Sequence, residues 1–147
     1  MKQELYQYCI SFVEERIRRF SSAIASAQEG ANKQTKSSAG DKHETGKAMA
    51  QLETENNSKH LAEAKKLMSV LSQIDPDESD EIIGLGSAVT TTLGNFYIAI
   101  SAGKENLAGK SWMFVSGASP LGQNLLGKKV GESFLINGKE QHVLTVD

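Results

Sequence analysis

The apolar residues Tyr6, Ile10, Val13, Ile17, Phe20, Ile24 and Ala27 recur at steps of 4, 3, 4, 3, 4 and 3. That spacing keeps one stripe on one face of an α-helix through three heptads. The pattern returns at Leu61, Ala64, Met68 and Leu71. Laid head to tail, the two runs match Ile10 with Leu71, Val13 with Met68, Ile17 with Ala64 and Phe20 with Leu61, and every pair of numbers sums to 81. A constant sum is what two helices folded back on each other require. The pattern therefore predicts an antiparallel coiled-coil hairpin over residues 1–74, with its apex between Gly40 and Asp41 and its tip near residues 37–46. Continued outward, the same register sets Ile24 against Asn57 and Ala27 against Thr54, so the apolar seam fades before the tip. Arms of roughly 35 residues would each reach on the order of 50 Å. On periodicity alone a dimerising or spacer coiled coil is the commoner meaning of such a pattern, but dimerisation has no need of a small, polar tip.

Residues 1–74 contain no proline and three glycines, whereas residues 82–147 contain ten of the 13 glycines. Between them runs Asp75-Pro76-Asp77-Glu78-Ser79-Asp80-Glu81, a proline inside an acidic stretch that a helix does not traverse easily. Residues 75–81 are read as a linker and residues 82–147 as a second domain. Short β-rich runs at 87–93, 96–100, 111–116, 133–136 and 141–146 predict five strands in an antiparallel sheet. Asn137-Gly138 between the last two suits the positive φ angles of a tight hairpin turn. Ser119 before Pro120, with Gly127 after Leu125 and Leu126, brackets a short helix as N-cap, first-turn proline and terminating glycine. The fold class expected is α+β.

The chain has 147 residues and a net charge of −2, split as +2 over residues 1–74 and −4 over residues 75–147. Neither half carries the dense basic stripe on which phosphate-backbone affinity depends, which favours a protein partner over direct nucleic-acid binding. The single cysteine, Cys9, has no internal disulfide partner, and Met1-Lys2-Gln3-Glu4 lacks the features of a signal peptide. With no apolar run near the ~20 residues of a spanning helix, the expected setting is cytoplasmic, away from membranes.

Chemistry concentrates at the apex, Ser37-Ser38-Ala39-Gly40-Asp41-Lys42-His43-Glu44-Thr45-Gly46. Asp41 and Glu44 stand three apart, which on a helix puts both carboxylates on one face, where hard oxygens can share a divalent cation. The same spacing is that of a capping box starting the second helix. Two carboxylates hold magnesium weakly, so a metal role needs ligands from elsewhere. His43, His60 and His142 lack the spacing of a zinc site, and Cys9 reads as a buried helix residue rather than a nucleophile. Trp112 and Phe114 alternate with Met113 on one predicted strand, with one face core and the other open to binding.

The segment Ser119-Pro120-Leu121-Gly122-Gln123-Asn124-Leu125-Leu126-Gly127-Lys128-Lys129-Val130-Gly131-Glu132 resembles the C-terminal signature of the Gre family of bacterial transcription elongation factors. Ala23-Ile24-Ala25 and Leu61-Ala62-Glu63-Ala64-Lys65-Lys66-Leu67 are similar to that family's hairpin arms. The resemblance implies a coiled-coil hairpin followed by an FKBP-like domain, acting as a monomer on bacterial RNA polymerase. It touches the DNA and RNA of the elongation complex only indirectly. The hairpin would enter the secondary channel, and the C-terminal domain would dock through Trp112, Phe114, Ser119, Pro120 and Leu121. Asp41 and Glu44 match the family's Asp-x-x-Glu pair, which shares Mg²⁺ with polymerase so that the polymerase cleaves backtracked RNA. No cofactor is expected on the isolated chain, and the protein is an accessory factor rather than an enzyme. After Glu44, however, Thr45, Gly46, Lys47 and Ala48 replace the family's usual acidic and aromatic continuation. A non-cleaving regulator that blocks the channel is the alternative, and a plain coiled-coil interaction module is a third.

Overall fold

The computed structural model describes the backbone of residues 1–37 and 41–147 and the side chains of residues 1–30 and 45–147. Two helices, α1 (Lys2–Ser37) and α2 (Asp41–Ser72), precede six strands and one short helix. The strands are β1 (Ala88–Thr91), β2 (Asn95–Ala99), β3 (Gly103–Leu107), β4 (Lys110–Ser116), β5 (Ser133–Ile136) and β6 (Lys139–Val146), with α3 (Pro120–Leu125) between β4 and β5. The fold is α+β, as the sequence predicts. The chain forms two compact units, one of Met1–Phe12 with Ser69–Asp147 and the other of Val13–Met68.

In the first unit the sheet order is β3-β4-β2-β1-β6-β5. This corrects the expectation of five antiparallel strands, because β2 and β4 run parallel, with Tyr97 opposite Phe114. The strand missing from the sequence reading is β3. Gly-Lys-Glu-Asn-Leu has no β-branched residue and no apolar alternation, and four of its five residues are exposed. It is held by antiparallel pairing to β4 through a two-residue turn, Ala108-Gly109, in which both residues have positive φ, 51° and 79°. An unseen strand between β2 and β4 reverses the direction in which β4 runs, which is why one omission also changed the sheet type.

Strand alternation sorts the apolar side chains onto two faces. Phe96 and Ile98 of β2, Val115 of β4, Val89 of β1, Phe134 of β5 and Val143 of β6 form one buried cluster with Ile83 and Leu125, and Met113, Leu121 and Leu126 pack against it. The intervening residues Tyr97, Ala99, Trp112 and Phe114 are buried as well. Their cover is the start of α1, where Tyr8 stacks on Phe114 with ring centroids 4.5 Å apart and Leu5 and Cys9 are fully buried. Each large apolar side chain so buried contributes about 1.5–3 kcal/mol. Polar ties fasten the same segment: Lys2 Nζ donates to the Glu78 carbonyl, Gln3 Nε2 to Asp77 Oδ1 at 2.8 Å, and the Tyr6 hydroxyl to the Leu71 carbonyl at 3.2 Å.

In the second unit Val13 and Ala64 are buried, and Ile17, Phe20, Ile24, Ala27, Thr54, Asn57, Leu61 and Met68 are half-buried. The side chains of the seam are thus the less exposed ones on both helices. Phe20 stacks on His60 at 5.0 Å between ring centroids, one residue from the Leu61 that the register names.

Helix α3 forms as its flanks dictate. Ser119 is extended (φ −68°, ψ 157°), its Oγ accepts from the Gly122 amide at 3.0 Å, and Pro120 opens the first turn. Asn137 (φ 52°) and Gly138 (φ 77°) make the left-handed turn that joins β5 to β6. Gly122 is there for room, since a Cβ at that position would stand 2.0 Å from the Ser116 carbonyl oxygen. Ser119→Ala should therefore cost about 1 kcal/mol, and Gly122→Ala distinctly more, because the obstructing atom is backbone. Urea denaturation of the two variants beside wild type checks the ranking by the order of midpoints.

Candidate functional site

The two acids singled out at the apex, Asp41 and Glu44, are the first and fourth residues of α2. Their side chains, and that of His43, lie outside the described residues. Just beyond them Thr45 and Lys47 are exposed and Gly46 is half-buried. Among the described residues no group of three or more His, Cys, Asp or Glu side chains converges to hold a metal ion, and no helix is long and apolar enough to cross a membrane.

The five candidate docking residues do not form one patch. Trp112 and Phe114 are only 4% and 2% exposed and belong to the face covered by the start of α1, so they offer a partner no surface in this structure. Ser119, Pro120 and Leu121 sit on the other side. There Leu121 joins Leu93, Phe96, Met113 and Lys104 in lining a cleft of about 430 Å³. Ser119 is committed to structure, donating from Oγ to the Ser116 carbonyl at 2.7 Å while it caps α3. Pro120 is exposed and Leu121 half-buried, and the loop that presents them is held by Gln123 Nε2 donating to the Gly117 carbonyl at 2.7 Å. The sequence reading names Trp112 and Phe114 as the binding residues of β4, whereas the residue of that strand that lines the cleft with Leu121 is Met113. Leu93 and Lys104 were not legible, because they come from a turn and from the unrecognised strand.

Beneath α1 lies a set of groups that heptad reading does not single out. Cys9 is fully buried, and burial pushes its thiol up to about 12 from 9.0. The Tyr97 hydroxyl is raised in the same direction, first by burial and then by Cys9 and Tyr6. Tyr8 is raised by burial and by the Glu105 carboxylate. Among the described residues, Tyr97 Oη and Trp112 Nε1 are both buried without a hydrogen-bond partner. An unsatisfied buried polar group costs about 1–3 kcal/mol, so this packed face carries two uncompensated penalties.

A scan against protein-family models and a search of curated proteins each return no match to the chain.

The thiol shift fixes the sign of one pH effect. Cys9 ionises more easily in the unfolded chain than in the fold, so its contribution is fully present below pH about 9 and is lost as pH rises toward about 12. Over that window stability should fall by up to ~1.4 kcal/mol per pH unit from this group. Urea melts of wild type and Cys9→Ala at a series of alkaline pH values should show a shallower decline in the variant.

Proposed function

We propose that the chain is a Gre-like factor that binds bacterial RNA polymerase. In this reading α1 and α2 form the hairpin that enters the secondary channel, and the sheet with α3 is the FKBP-like docking domain. What most supports the docking role is the exposed Pro120 and half-buried Leu121, held by a capped helix beside the cleft within the segment that resembles the family signature. Polymerase would meet that edge, not Trp112 and Phe114.

Asp41 and Glu44 would hold Mg²⁺ jointly with carboxylates of the polymerase. Two hard oxygen donors in the first turn of a helix suit that ion as a partial ligand set. When bound, the ion acts as a Lewis acid and lowers the pKa of a water that cleaves backtracked RNA. The chain's own part is to bring the two carboxylates to the site and hold them on one helical face.

Asp41→Asn keeps a competent N-cap residue and removes the charge, and Glu44→Gln does the same at the second acid. With a backtracked elongation complex, wild type should stimulate magnesium-dependent cleavage, and both variants should bind polymerase but lose the stimulation. Equal cleavage by all three makes the acids structural. The exposed Lys47 and Ala48, which stand where the family carries an acid and an aromatic, favour the channel-blocking alternative. That reading takes over if wild type slows elongation without stimulating cleavage. Failure to retain polymerase in a pull-down leaves the coiled-coil interaction module.

Docking is tested separately with the full chain. Pro120→Asp, an exposed first-turn position of α3 where an acid suits the helix, should weaken retention of core polymerase by at least tenfold while leaving the urea midpoint near that of wild type. Fragment 82–147 is unsuitable for this test, because without Met1–Phe12 it would bare Tyr97, Trp112 and Phe114.

A further inference from the structure

We infer that the first three turns of α1, Met1–Phe12, are a strap that lifts off the sheet by local opening while the rest of its unit stays folded, baring Tyr97, Trp112 and Phe114. The inference is independent of the polymerase reading.

Two observations carry it. The face beneath the strap holds both buried polar atoms that lack a partner among the described residues, Tyr97 Oη and Trp112 Nε1. Closing the strap removes water from these two groups and gives nothing back, whereas opening restores their hydration. The contacts that hold the strap are also divided. Leu5 and Cys9 are fully buried and Tyr8 stacks on Phe114, but the polar ties of Lys2, Gln3 and Tyr6 all reach residues 71–78 and none reaches the sheet. The two orphaned groups thus bias a contact that is otherwise apolar toward release.

Cys9 is the protein's only cysteine and lies fully buried under the strap, so its modification reports the opening directly. The experiment is alkylation or disulfide exchange of the native full-length chain at neutral pH, followed as a function of urea. Opening of the strap exposes only part of the surface that global unfolding exposes, so below the transition the labelling rate should rise with urea at a slope well under the global one and then join the global limb. Two variants separate a strap from ordinary fraying. Tyr97→Phe deletes one orphaned hydroxyl without changing the ring, and should slow labelling in the shallow region below the transition by about fivefold or more. Gln3→Ala removes the exposed tie to Asp77 and should speed it. Labelling that follows the global urea slope from zero denaturant overturns the inference. So does a Tyr97→Phe variant that labels as fast as wild type, since the orphaned hydroxyl would then play no part in the release.

Discussion

The stack of Tyr8 on Phe114 joins the first residues of the chain to a strand more than a hundred residues later, and the first unit depends on it. A six-stranded sheet with apolar side chains on both faces needs two covers. Helix α3 and its flanking residues cover one. The other is covered by a helix that the linear sequence assigns to a different domain. Without that helix Tyr97, Trp112 and Phe114 would lie against water. The acidic stretch 75–81 does not simply separate the parts, since Lys2 and Gln3 reach across to Glu78 and Asp77, and Ser79 Oγ donates to the Asp147 carboxylate.

This division of labour on β4 bears on function. A strand can give alternate side chains to opposite tasks, and here Trp112 and Phe114 serve cohesion while Met113 faces the cleft that Leu121 also lines. Aromatic residues attract attention as binding candidates because they dominate interface energetics, but they dominate cores for the same reason. The smaller, less conspicuous Pro120 and Leu121 are the ones left at the surface.

Much of the architecture was legible because its causes are local. The cap and proline of α3, the left-handed turn at Asn137-Gly138 and the limits of β5 follow from side-chain chemistry within a few residues. What escaped depends on distant partners. Strand β3 is a strand only because β4 lies beside it, and Ala108-Gly109 lacks the Asn or Asp that announces such a turn. Leu5, Tyr8 and Cys9 fall off the heptad stripe of Tyr6, Ile10 and Val13, and nothing in that spacing says that a sheet will pack over them. Of the candidate site, the geometry of the Ser119 loop could be read, whereas the assignment of Trp112 and Phe114 to a covered face could not.

The unit of Met1–Phe12 with Ser69–Asp147 is discontinuous in sequence, and that matters during synthesis. The first twelve residues leave the ribosome long before β4 exists, so Leu5, Tyr8 and Cys9 wait unpaired while Val13–Met68 and the early strands follow. The parallel partners β2 and β4 are themselves separated by β3, which adds a second delayed contact. Folding of this unit is therefore governed by closure of a loop of about a hundred residues, the kind of non-local step that slows folding and prolongs exposure of apolar surface. The helix that covers one face of the sheet is thus made well before the strands that it covers.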